Sequence, residues 1–154
     1  MWFEEIELGV KRTIGTHKFT QDEIIAFGKK YDPQPFHVDP VAAKRSSYGG
    51  IIASGWHTVA IWMRLMIEFQ KSLGPEAWRG GVSPGFEDLR WIKPVRPGMT
   101  LTYSTETIEK IDLKSRPELG LIKSRNEARD AHGMLYMSFV GKGFIPRKPA
   151  GEAS

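Results

Sequence analysis

The chain predicts an α+β domain built from one long apolar helix and a sheet of about five strands. Three observations carry this. The ten prolines, at 33, 35, 40, 75, 84, 94, 97, 117, 146 and 149, leave windows free of proline at 41–74, 99–116 and 118–145, and proline breaks helix interiors and central strands. The first window holds a stretch, 55–73 (GWHTVAIWMRLMIEFQKSL), with no internal glycine and only Arg64 charged before Glu68. After residue 80 four runs rich in β-branched and aromatic residues follow, divided by turn clusters at 94–98 (PVRPG), 116–120 (RPELG) and 132–133 (HG).

Taken in order, residues 6–18 supply a candidate strand. Residues 20–31 (TQDEIIAFGKKY) place Thr20 and Glu23 in capping-box spacing ahead of Ile24, Ile25 and Phe27, which predicts a short helix with one buried face. Pro33 and Pro35 stop it. Asp39-Pro40 reads as a cap followed by proline at the first helical position, opening a brief helix to about Lys44. The helix over 55–73 is apolar nearly all round, as a buried helix is, with Trp56, Val59, Ile61, Trp62, Leu65, Met66 and Phe69 forming the spine of the fold. Gly74-Pro75 ends it. In the β half, Leu101, Tyr103 and Thr105 alternate with Thr102, Ser104 and Glu106, the pattern of a sheet with one covered face. One helix does not cover both faces of such a sheet, so a homodimer is expected. The segment 146–154 (PRKPAGEAS) reads as a flexible tail to a single domain spanning 1–154.

Composition bounds the function. With 154 residues, 40% hydrophobic and 26% charged, the chain is ordinary for one soluble domain and large enough to bury roughly 70% of its unfolded surface. The absence of cysteine excludes disulfides, thiolate catalysis and zinc ribbons. A net charge of +4 is too mild to announce a nucleic-acid protein, though it suits an anionic small molecule at a local basic patch. The start, MWFEEIEL, carries acids where a secretory signal carries Lys or Arg, and no apolar run approaches the roughly 20 residues of a membrane span. The expectation is a cytoplasmic protein without membrane or nucleic-acid partners.

Of the four histidines, His17 lies in a polar edge segment and His132 precedes a turn glycine, so both read as structural or exposed. His37 stands in YDPQPFHVDP, where three prolines in eight residues make a stiff segment. Asp32 and His37, five residues apart, would diverge on a helix or a strand. The prolines argue against both, and a rigid kinked loop can converge the two groups into an acid–base pair. The competing reading has Asp32 capping a turn and His37 beside a helix start. A metal reading through Asp32, His37, Asp39 and His57 lacks ligand spacing, so no metal is expected. Ala53-Ser54-Gly55 opens the long helix. Its free N–H groups and dipole stabilise negative charge, and glycine there admits a substrate oxygen, although a small residue before a helix is also an ordinary cap.

DPQPFH at 32–37, together with HVDPVAAKRSSYGGIIASGWHTVAIWMRLM and the later GFEDLRWIKPVRPGMTL, resembles the MaoC-like dehydratases, the (R)-specific enoyl-CoA hydratases of the hotdog fold. The family loop reads Asp-x-Asn-Pro-(aliphatic)-His, and a His-Gly or Ser-Gly pair opens the central helix. This chain matches at Asp32, Pro35, His37 and Ser54-Gly55, over roughly residues 15–145. The resemblance implies a curved antiparallel sheet wrapped around the helix, a homodimer with the site near its interface (with further assembly of dimers open), and an acyl-CoA substrate with no separate cofactor. Asp32 and His37 would activate the water that adds across C2–C3 of an enoyl thioester, and the Gly55 N–H would hold the thioester oxygen. The family's Asn is Gln34 here, and its small Ser-Gly pair before the Asp is Lys30-Tyr31. Gln34, Ser54, Trp56 and Trp62 are the candidate substrate contacts, the tryptophans together with Met66 as walls of an acyl tunnel or as plain core. Lys44, Arg45, Arg90, Lys93 and Arg96 are candidates for the phosphates of coenzyme A. A thioesterase of the same fold would need a carboxylate on the helix, and 56–67 holds none. A non-catalytic acyl-thioester-binding protein is the remaining alternative.

Overall fold

The computed structural model describes residues 1–77 and 79–151. Five strands form one antiparallel sheet: β1 (Lys11–Lys18), β2 (Phe86–Trp91), β3 (Thr100–Asp112), β4 (Leu119–Arg129) and β5 (Leu135–Pro146), in the order β1-β3-β4-β5-β2. The helices α1 (Gln21–Tyr31), α2 (Pro35–Val38) and α3 (Pro40–Arg45) precede the long helix α4 (Gly55–Ser72). Every strand pairing carries a register shift, at Thr13/Gly15, Glu87/Arg90, Thr107/Glu109 and Ala128/Arg129. Such bulges bend strands and increase their twist.

The helix α4 lies against the core face of the sheet. Tyr103 of β3, fully buried, donates its hydroxyl to the Thr58 carbonyl at 2.9 Å. Trp62 meets Phe139 of β5 edge-on, and Leu65 lies against Gly15 of β1. Leu101 and Tyr103, alternate residues of β3, are both sealed from solvent, as their period-2 pattern predicts. Thr20 caps α1 by accepting from the Glu23 N–H, and Asp39 caps α3 through Val41 and Ala42.

Three sequence expectations are corrected. First, the prolines do not exclude helix around His37: Pro35 sits at the first position of the one-turn α2, where its missing N–H costs nothing. Second, α4 is not buried all round. Only His57, Thr58 and Leu65 are buried, while Trp56 and Met63 are each 50% exposed, so one face of the spine stays open in the single chain. Third, Pro146 to Lys148, expected in a flexible tail, are tied to the fold. Pro146 pairs with Leu119, Arg147 bridges Glu4 and Asp112, and the Lys148 N–H donates to Glu4. Residues 152–154 lie outside the described residues.

Candidate active site

Asp32 is the residue at which α1 ends. Its N–H donates to the Gly28 carbonyl at 2.9 Å, and Pro33 blocks another turn. The turn to α2 is tight because Gly28 carries no side chain. A Cβ there would fall 3.0 Å from His37 Cβ and from Val38 Cγ1. This close packing of α1 on α2 brings the two candidate groups together, with His37 Nε2 3.2 Å from Asp32 Oδ2.

The surrounding bonds fix both side chains. The segment 51–54 runs beside α2: the Ile52 N–H donates to the Phe36 carbonyl, and the Ile52 carbonyl accepts from His37 Nδ1 at 2.6 Å. A carbonyl only accepts, so Nδ1 carries hydrogen and Nε2 is left to work toward Asp32. Gln34 Nε2 donates to Asp32 Oδ1 at 2.8 Å, and Ser54 Oγ donates to Asp32 Oδ2 at 2.8 Å. Burial works to raise the Asp32 pKa. The hydrogen bonds from Gln34 and Ser54 and the charge of His37 outweigh it, holding the carboxyl below its ordinary value. The group is therefore a carboxylate at neutral pH.

Gly55 is the first residue of α4, so its N–H has no intrahelical acceptor. Ser54, read from the sequence as a substrate contact with an ordinary cap as the alternative, occupies the cap position but makes no side-chain cap bond; its hydroxyl donates to Asp32. Gln34, His37 and Gly55 line one cleft of about 500 Å³, with Phe36, Tyr48 and Trp91 among its other walls. Trp56 and Trp62 are not among its walls. Trp56 stands edge-on to Trp91, and Trp62 lines a separate cavity of about 180 Å³ beside the C-terminal half of α4. Asp39 caps α3, its carboxylate accepting from the Val41 and Ala42 N–H groups.

Sequence reasoning missed a second polar cluster. Glu23 Oε1 lies 2.5 Å from His17 Nε2 and 3.8 Å from His57 Nε2. His57 is buried in the first turn of α4, stacked on Phe27, with Nδ1 unpartnered among the described residues. Burial pushes its pKa down, against the attraction of Glu23 and with the repulsion of His17. The signal was Glu23 itself: after giving its N–H to Thr20 its carboxylate does not return to the cap, which leaves it free for histidines on other elements.

Comparison with known proteins agrees with this architecture. The MaoC like domain matches residues 7–129, and the chain belongs to that family. The uncharacterized protein YdeM of Bacillus subtilis (strain 168) is 33% identical over 122 residues, 79% of this chain and 82% of its own. Among solved structures, the MaoC-like dehydratase from Rhodospirillum rubrum is 33% identical, with a TM-score of 0.86 over 97% of this chain and 99% of that one. The (R)-hydratase from A. caviae involved in PHA biosynthesis shares the fold at 20% identity, with a TM-score of 0.68 over 93% of this chain and 99% of that one. The fold is thus the hotdog fold, and the family's class of chemistry is hydration and dehydration.

Proposed function

We propose that this protein adds water reversibly across the C2–C3 double bond of a trans-2-enoyl-CoA, working in the cytoplasm as a homodimer. The observation that carries this is the Asp32–His37 pair, held by Gln34, Ser54 and the Ile52 carbonyl beside the open N-terminus of α4. Asp32 Oδ2 and His37 Nε2 hold the attacking water. They take one of its protons as its oxygen bonds to C3, and return a proton to C2. The displaced π pair passes through an enolate whose oxygen is held by the Gly55 N–H. Positioned acid–base groups supply about 10²–10⁴-fold in rate, and one oxyanion donor about 10²–10³-fold. The reverse reaction dehydrates a 3-hydroxyacyl-CoA.

Lys93 lines the cleft, and no carboxylate among the described residues pairs with Lys44, Arg45, Arg90, Lys93 or Arg96. This favours an anionic carrier on the thioester. The open face of α4 and the edge strand β2, with Phe86, Trp91 and the following Ile92 each about half exposed, support a second copy as their cover. A thioesterase reading is disfavoured because the first carboxylate on α4, Glu68, is exposed and paired with Arg64 at 2.9 Å. The test is incubation with a panel of trans-2-enoyl-CoAs, following the conjugated-thioester absorbance and free thiol together. Absorbance lost without thiol is expected; thiol release, or no reaction across the panel, overturns the proposal.

A further inference from the structure

Gly55 does not need to be glycine for its backbone conformation, because its φ is not positive. The reason lies opposite it. A Cβ built on Gly55 would fall 2.2 Å from Cε2, 2.4 Å from Cδ2 and 2.5 Å from Nε1 of Trp91. Three ring atoms at nearly equal distance place the indole face-on over the Gly55 Cα. The ring fills the place a side chain would take at Gly55, so glycine is required there by packing against Trp91.

Trp91 reaches that position through an irregularity in β2. Phe86 pairs with Gly141 and Trp91 with Met137, so six residues of β2 span five of β5, and a bulge lies between Glu87 and Arg90. Inside it Asp88 adopts φ 55°, uncommon for a residue other than glycine. Without the bulge Phe86 and Trp91 would face opposite sides of the sheet. With it, Trp91 shares the side of its partner Met137, which is fully buried in the core. Trp91 is nevertheless 46% exposed in the single chain, and its ring touches Trp56 edge-on at 5.1 Å and walls the cleft that holds His37.

We infer that Trp91 is a positioning residue for the oxyanion donor: its indole clamps the first residue of α4 and closes one wall of the thioester subsite. This rests on the hydratase reading above. The clamp fixes where the Gly55 N–H points, and the ring keeps water from that side of the donor. A hydrogen bond to a developing enolate is worth most where it is pre-aligned and dry.

The experiment is a double-mutant cycle of Gly55→Ala and Trp91→Ala, read by Tm, by kcat and KM on a trans-2-enoyl-CoA, and by the absorbance shift of the bound enoyl thioester. Gly55→Ala should lower Tm while Trp91 is present. In the Trp91→Ala background the same change should leave Tm unchanged or raise it, because alanine is the better helix former. Trp91→Ala should lower kcat about tenfold, move KM less than about threefold, and diminish the absorbance shift. Equal loss of Tm from Gly55→Ala in both backgrounds would overturn the packing claim. Unchanged kcat and absorbance shift in Trp91→Ala would reduce the ring to a structural role and overturn the positioning claim. If Trp91→Ala does not fold, Trp91→Val carries the same cycle, since valine ends at Cγ, places no atom where Cδ2, Cε2 and Nε1 stand, and suits a strand. Absence of hydration by the wild-type protein would remove the reading beneath the positioning claim, while the Tm cycle would still decide the packing.

Discussion

Ser54 Oγ donates to Asp32 Oδ2 at 2.8 Å, joining the residue before the long helix to the residue that ends the first one, 22 positions away. A hydroxyl in the place of a helix cap is thereby turned to fix a carboxylate. This bond favours the ionised form of Asp32, and its removal has a defined direction. Ser54→Ala should raise the Asp32 pKa and move the acid limb of the kcat/KM profile to higher pH. A charge-assisted hydrogen bond of about 1.5–3 kcal/mol corresponds to a loss of roughly tenfold or more in rate. An acid limb that stays in place would show that another group governs it.

Asp32 also links stability to pH. Its folded pKa lies below the ordinary value, so its contribution is present above about pH 4 and is lost as pH falls through the folded pKa. The Tm difference between wild type and Asp32→Asn should therefore narrow as the solution is acidified below about pH 4. A constant difference across that range would contradict the assignment.

His57 works in the same direction through a different group. Its folded pKa is pushed down by burial, beside Glu23 and His17. Below about pH 6.5 the unfolded chain therefore binds the proton that the folded chain resists, and stability falls. His57→Gln should flatten the decline of Tm between about pH 6.5 and 5, measured in a buffer series. A decline as steep as that of wild type would place the titrating group elsewhere.

Gly28→Ala tests how the catalytic pair is assembled. The new methyl would lie 3.0 Å from His37 Cβ and 3.1 Å from the His37 carbonyl, so α2 must shift. Overpacking of this kind costs about 1–3 kcal/mol in stability, and the shift falls directly on His37, whose Cβ and carbonyl the methyl would press. A moderate fall in Tm with a much larger fall in kcat is expected. Full activity would mean that the pair tolerates displacement.

The contrast between Gly28 and Leu101 shows what the chain discloses before it folds. Leu101 and Tyr103 declare their burial because strand geometry repeats every two residues, and the capping residues Thr20 and Asp39 act on donors two or three positions away. Those relationships are local. The convergence of Asp32 and His37 was legible as a possibility, because prolines bound the segment tightly. Its cause was not: the contact between α1 and α2 depends on a glycine whose partner lies nine positions on, in a one-turn helix that proline starts rather than forbids. The Glu23–His17–His57 cluster and the Trp91–Gly55 contact join separate elements, the second through a bulge with no motif to mark it. The open face of α4 was hidden for a different reason, since an apolar helix reads the same whether its own sheet or a second chain covers it.

The central claim is that Asp32 and His37 act as one acid–base pair on water. The most direct measurement is the initial rate of loss of the conjugated-thioester absorbance of a trans-2-enoyl-CoA, without thiol release, in wild type, Asp32→Asn and His37→Ala. Far-UV circular dichroism serves as the control for folding. The account predicts hydration by wild type and a fall in kcat of at least about a hundredfold in each folded variant. Wild-type activity retained in either variant would contradict it.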